Sequence, residues 1–301
     1  MNQAGEGVAA RPAEQATTRS QARPLWIILA GAMLALVAVL YHGILATLAL
    51  DWWNDPNFSH GFFVPAFSLF VLWQERAQLA KLEPRPSWWG SFFVAGALAM
   101  LIVGSLGAEF FLSRTSFIVL LGGLVIQFFG WQVFRAILFP WAVLFLMVPI
   151  PAIIFNQITF PLQLFASRLA TVLLTLLGVP VLREGNVIQL PIMSLEVAEA
   201  CSGIRSLVSL TTLAVIYGYF IETRTSRRVW MAVFAVPIAV AANAMRVMGT
   251  GLVAQYWDPS KAEGFFHEFS GWFIFILSLG MLLLVHRAMR LFDRAARVSS
   301  Q

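Results

Sequence analysis

Apolar runs close to 20 residues long recur along almost the whole chain, separated by short polar connections that hold most of the Lys and Arg. A helix needs about 20 apolar residues to cross the hydrocarbon layer of a bilayer. Runs of this kind fall near 25–45, 61–75, 88–107, 115–130, 136–155, 203–221, 229–253 and 271–290. They predict an all-α integral membrane protein with about eight transmembrane helices, the second and fourth being the shortest. The first run is too long for the apolar part of a signal peptide and others follow it, so it reads as a helix.

Two segments break the pattern. Within 158–178, Gln163, Ser167, Arg168, Thr171 and Thr175 recur at helical spacing on one face, which predicts an interfacial amphipathic helix or a re-entrant piece. In 179–196, Val181, Val187, Ile188 and Leu190 flank the turn-prone "REGN", which predicts a short hairpin or cap on the outer surface. Residues 1–24, rich in Ala, Gln, Thr and Arg without apolar periodicity, read as a disordered cytoplasmic segment. Residues 25–291 then form one polytopic membrane domain and 292–301 a short basic cytoplasmic tail. No internal repeat points to a transporter of two related halves.

Composition sharpens this picture. Over 301 residues, 59% are hydrophobic and only 12% charged, and the mean hydropathy of +0.78 lies far from the soluble average. The excess of 20 Lys and Arg over 15 Asp and Glu sits mainly between the apolar runs, where it sets membrane orientation and implies no nucleic-acid partner. Eight spans put both termini on one side. With that side cytoplasmic, 14 of the 20 basic residues lie inside, and only Arg114, Arg168, Arg183, Arg205, Arg246 and Lys261 lie outside or near the outer face. The pairs Trp52, Trp53 and Trp88, Trp89 suit interfacial anchoring at opposite faces.

The chemistry concentrates in "VAEACSGIRSL", residues 197–207, which holds the single cysteine. This topology puts Cys201 at the outer N-terminus of a span, where unpaired amides and the helix dipole favour a thiolate. Arg205 lies one turn on and adds positive charge, Ser202 and Gly203 suit a helix start, and Glu196 and Glu199 oppose a thiolate unless an arginine pairs them. The next span carries Asn243 and Arg246 late in its run, and an intramembrane arginine calls for an ion partner or a function. His267 precedes the last span. Cys, Arg and His from three consecutive helices thus reach one face, the inventory of cysteine acyl transfer. Each has a plainer alternative: the cysteine as packing, the histidine as a solvated loop residue, Arg246 as a snorkelling side chain or a partner of Glu199. Asp51, Asp55 and His60 superficially suggest a metal site, but they do not share a helical face and "NDPN" is turn chemistry. Neither a Gly-rich phosphate loop, a CxxC pair nor an HExxH helix occurs, so neither cofactor nor metal is expected.

"EACSGIRSL", then "NAMRV", then "HEFSGW", together with the early "WWNDPNFSHGFFVP", resembles the exosortases, bacterial relatives of the archaeosortases, from about Leu25 to Arg290. The resemblance implies an inner-membrane cysteine protease or transpeptidase whose substrates are membrane-anchored proteins with a C-terminal PEP-CTERM tail. It implies Cys201 as nucleophile, Arg246 as electrostatic stabiliser and His267 as proton-transfer partner, with the site facing the periplasm. No catalytic role is carried onto "SHG". Some family members have a further C-terminal domain after the last span, so its work here would fall to a separate accessory protein. The competing expectation is a non-catalytic membrane component or a transporter for envelope polysaccharide export, in which Arg246 and Glu199 handle packing or an anionic solute.

Overall fold

The computed structural model describes residues 12–197, 204–257 and 265–298. Within them lie α1 (Pro12–Asn54), α2 (Phe63–Leu79), α3 (Trp89–Leu106), α4 (Phe110–Ala136), α5 (Leu138–Val143), α6 (Ala152–Leu176), α7 (Ile204–Ile221), α8 (Thr225–Tyr256) and α9 (Phe265–Val298). Three short strands, β1 (Leu182–Glu184), β2 (Val187–Gln189) and β3 (Ser194–Glu196), separate α6 from α7. Six helices are long and apolar enough to cross a membrane: α1, α3, α4, α6, α8 and α9. The helix α1 begins at Pro12, inside the stretch expected to lack regular structure.

Among the described residues the expected eight spans become six: the runs 61–75 and 203–221 correspond to α2 and α7, which are not among these six, and two further places differ. The run 136–155 is not one helix. It divides into α5, a 3-10 turn at Leu144–Met147 and an extended stretch before α6. Pro140, Pro149 and Pro151 remove backbone donors along it, and proline inside a helix also clashes with the preceding turn. The broken segment is fastened by side chains instead: Ser68 donates to the Pro140 carbonyl at 2.8 Å and the Trp141 indole to the Ile118 carbonyl at 2.8 Å. The second correction concerns 158–178, most of which belongs to the 25-residue α6. Its expected polar face is split: Gln163 and Ser167 are 7% and 0% exposed, whereas Arg168 and Thr175 are exposed along with Phe160, Phe165, Val172 and Leu176. Part of the polar side therefore packs on protein, where hydrogen bonds replace water. Ser167 donates to the Gly185 carbonyl at 3.0 Å.

The expected cap is a three-stranded antiparallel sheet in the order β1-β2-β3. Glu184 pairs with Val187 across the two-residue turn Gly185-Asn186, and Gly185 has φ +65°, a conformation that suits glycine at the first turn position. The sheet packs with α6 and the late part of α8 through Leu174, Ile188, Leu190, Val247 and Ala254.

Elsewhere the packing is that of a lipid-facing protein, with large apolar side chains outward and small ones inward. On α8, Ala235, Ala239, Ala242 and Ala244 are buried while Trp230, Val233 and Met245 are exposed. Small residues let helix backbones approach where lipid removes the hydrophobic incentive to associate. Close approach is most demanding at Gly130, which kinks α4 at φ +84°. A Cβ there would overlap the Arg85 carbonyl oxygen, because the α2–α3 connection crosses at this point and Arg85 N–H donates to the Phe129 carbonyl at 3.1 Å.

Candidate active site at one end of three helices

The helices α7, α8 and α9 pack against one another, and a polar cluster at one end sets their register. Glu222, in the turn between α7 and α8, is 3% exposed and accepts from Arg227 Nη1 at 2.9 Å and from His286 Nε2 at 2.7 Å. His286 Nδ1 is 3.1 Å from the Tyr217 hydroxyl. Arg228 Nε donates to the Glu222 carbonyl at 2.7 Å and its Nη2 to the Tyr219 carbonyl at 3.1 Å, and Tyr219 donates its hydroxyl proton to Glu75 of α2. Burial works to raise the Glu222 pKa. The hydrogen bonds and charges of His286 and Arg227 outweigh it and hold the carboxyl below its ordinary value.

From this fixed end, helix geometry sets the height of everything at the other. Eighteen residues separate Ile204 from Glu222 along α7, and nineteen separate His267 from His286 along α9. At 1.5 Å per residue both distances are about 28 Å, so the backbone of His267 is level with the start of α7. Gly218 of α7 lies beside Arg228 of α8. Counting fourteen residues along each antiparallel helix brings Ile204 level with Ala242, so Asn243 and Arg246 lie within about 6 Å of that height. Asn243 is 2% exposed and Arg246 is half-buried. The Arg246 carbonyl accepts from Thr250 Oγ1 at 3.0 Å. Arg205 is exposed in the first turn of α7. Cys201, Ser202 and Glu199 lie outside the described residues, as does the chain from 258 to 264.

Asp51, Asp55 and His60, the group that superficially suggested a metal site, are spread over three separate tasks. Asp51 pairs with Arg114 at 2.6 Å, and Arg114 is 5% exposed. Asp55 Oδ1 accepts from the Asn57 backbone N–H at 2.8 Å. His60 Nε2 is 3.1 Å from the Leu146 carbonyl, and burial lowers its pKa more than its backbone contacts raise it. Trp52 donates to the neighbouring Met147 carbonyl at 2.9 Å, and a Cβ at Gly61 would overlap the Trp52 indole. The "SHG" residues thus clamp the α1–α2 corner onto the broken segment after α5.

A family model for transmembrane exosortase matches residues 52–284. The chain belongs to this family. The match covers Cys201, Arg246 and His267 together with the α1–α2 corner. No match was found among curated proteins or among solved structures. Sequence reading overlooked the Glu222 cluster that registers the exosortase helices. Its signal was a lone acid in "YFIETRTSRR" beside three arginines, with His286 and Tyr217 inside otherwise apolar spans.

Proposed function

We propose that this exosortase is a membrane-embedded cysteine protease or transpeptidase that cleaves C-terminal sorting tails of the PEP-CTERM type at the outer face of the bacterial inner membrane. The observation that carries the reading is the common height of three elements, the start of α7, Asn243 and Arg246 on α8, and His267 on α9, within a chain of this family. Cys201 is three residues from Ile204 in the chain, so covalent geometry keeps its Cα within about 11 Å of that height. The opposite end carries Arg224, Arg227, Arg228 and Arg290, which by the positive-inside rule faces the cytoplasm and leaves the cysteine end facing the periplasm.

In this mechanism the Cys201 thiolate attacks the scissile carbonyl carbon, forming a C–S bond and a tetrahedral oxyanion. The Arg246 guanidinium stabilises that oxyanion in a site of low dielectric. The C–N bond then breaks, and protonated His267 gives the departing amine its proton. Water or an acceptor amine resolves the thioester, with His267 removing the nucleophile's proton and the thiolate leaving. Arg205 supports the thiolate from one turn along α7. Asn243, Ser202 and Glu199 complete the substrate-binding wall. Substrate anchored by its own transmembrane tail meets the enzyme in the plane of the bilayer, so a separate accessory protein is required only where an acceptor must be delivered.

The test is processing of a tail-bearing reporter protein by the full chain in bacterial membranes. Cys201→Ala and Cys201→Ser are expected to abolish release of the tail, a loss of at least about a thousandfold, with the protein still inserted. Normal processing by Cys201→Ala would overturn Cys201 as the nucleophile.

A further inference from the structure

A second polar feature lies at the far end of the same three helices, away from the proposed nucleophile. A cavity of about 650 Å³ opens there between α7 and α9. Its floor includes Tyr217 and His286 of the Glu222 cluster, its rim carries Arg287 and Arg290, and its apolar wall on the membrane side is Leu283 and Leu284. The charges do not balance. Glu222 is already bonded to Arg227 and His286, and Arg290 stands 4.0 Å from it while 51% exposed. Among the described residues no acid pairs with Arg287. The cavity therefore combines surplus positive charge with an apolar wall exposed to the surroundings, since Leu283 and Leu284 are both exposed.

Depth decides what such a site meets. The apolar part of α9 runs from Gly271 to Leu291. Arg287 and Arg290 follow Gly271 by sixteen and nineteen residues, about 24 and 28 Å along the helix, close to the thickness of the hydrocarbon layer. The guanidinium groups consequently sit at headgroup level, while Leu283 and Leu284, about one turn deeper, stay beside acyl chains. Guanidinium groups hold phosphate through paired N–H donors.

We propose that this cavity binds the phosphate headgroup of an anionic phospholipid of the surrounding leaflet, with one acyl chain along Leu283 and Leu284. The lipid sits against the helices that carry the Glu222 cluster and braces α7 against α9. This site is independent of the cleavage chemistry and does not use Cys201, Arg246 or His267.

The experiment uses the full chain purified in a neutral detergent, with bound lipid counted by native mass spectrometry and thermal unfolding followed in parallel. Phosphatidylglycerol is expected to remain bound and to raise the unfolding temperature, whereas phosphatidylcholine does neither. The double variant Arg287→Gln/Arg290→Gln is expected to bind phosphatidylglycerol about twenty-five-fold more weakly, roughly fivefold for each arginine. A second double variant, Arg76→Gln/Lys81→Gln, removes the same charge outside the cavity and is expected to keep full affinity. Equal retention of phosphatidylcholine, or equal weakening by the second variant, would overturn the site. Stabilisation by inorganic phosphate alone, matching that by phosphatidylglycerol, would show a free-phosphate site and overturn the lipid assignment.

Discussion

The two ends of the α7–α8–α9 group solve the problem of polar groups in an apolar protein in opposite ways. At one end Glu222 gathers Arg227, His286, Tyr217 and Arg228 into contacts of ordinary hydrogen-bond length, and the cluster holds three helices in register. At the other, Arg246 is only half-buried, near a fully buried Asn243, beside a helix start and at the height of His267. Buried charge that is fully paired stabilises a fold only modestly and is strongly destabilising to break. The proposed chemistry asks something else of the other end, a cation and a proton carrier that a developing charge can reach. Under that proposal charge inside this family member has two distinct uses, and substitutions should separate them by readout.

The largest expected effect is at the cysteine end. Arg246→Gln is expected to lower the turnover of a tail-bearing reporter about a hundred- to a thousandfold while leaving the unfolding temperature within a degree or two of the wild type. Full activity in Arg246→Gln would break the comparison by removing its electrostatic half. The mirror experiment is Glu222→Gln, expected to destabilise the protein by about 3 kcal/mol because His286 and Arg227 lose their buried anion. Its signature is a lower unfolding temperature with activity per folded molecule preserved. A Glu222→Gln protein that is as stable as the wild type would show that helix packing alone sets the register.

A third region provides a control for both. Asp51 and Arg114 form a pair at 2.6 Å in which Arg114 is buried and Asp51 is nearly half exposed. Asp51→Asn is expected to lower stability by about 1–2 kcal/mol, less than Glu222→Gln, because solvent screens the exposed partner. Reporter cleavage by the folded Asp51→Asn protein should be unchanged. A selective loss of cleavage would move the α1–α2 corner from scaffold to active site.

How much of this was legible beforehand follows from what periodicity encodes. Length and apolarity marked out α1, α3, α4, α8 and α9, and the turn residues around Gly185 marked the cap. The swap between 136–155 and 158–178 was not legible from hydropathy. An apolar run does not reveal that three prolines break it, and the amphipathic face of α6 says that Gln163 and Ser167 differ from their neighbours without saying whether water or protein meets them. The candidate site was legible as residue types, because the chain has a single cysteine and four histidines and places Arg246 late in an apolar run. The common height of the start of α7, Arg246 and the His267 backbone required counting from the Glu222 cluster, which joins residues 64 positions apart and leaves no local pattern.

The smallest expected effect tests that cluster by pH. Hydrogen bonds and charge from His286 and Arg227 depress the Glu222 pKa below its ordinary value of 4.5. A carboxyl with a depressed folded-state pKa contributes stability that is complete above its unfolded value and is lost as the pH falls through the folded one. The gap in unfolding temperature between wild type and Glu222→Gln should therefore hold from about pH 6 to pH 5 and close progressively below about pH 4.5. Arg227 and Arg290 stay charged throughout, so neither contributes a slope in this window. A gap that closes already between pH 6 and pH 5 would mean that the carboxyl is not held ionised by its partners, and the contrast between the two ends would lose its electrostatic basis.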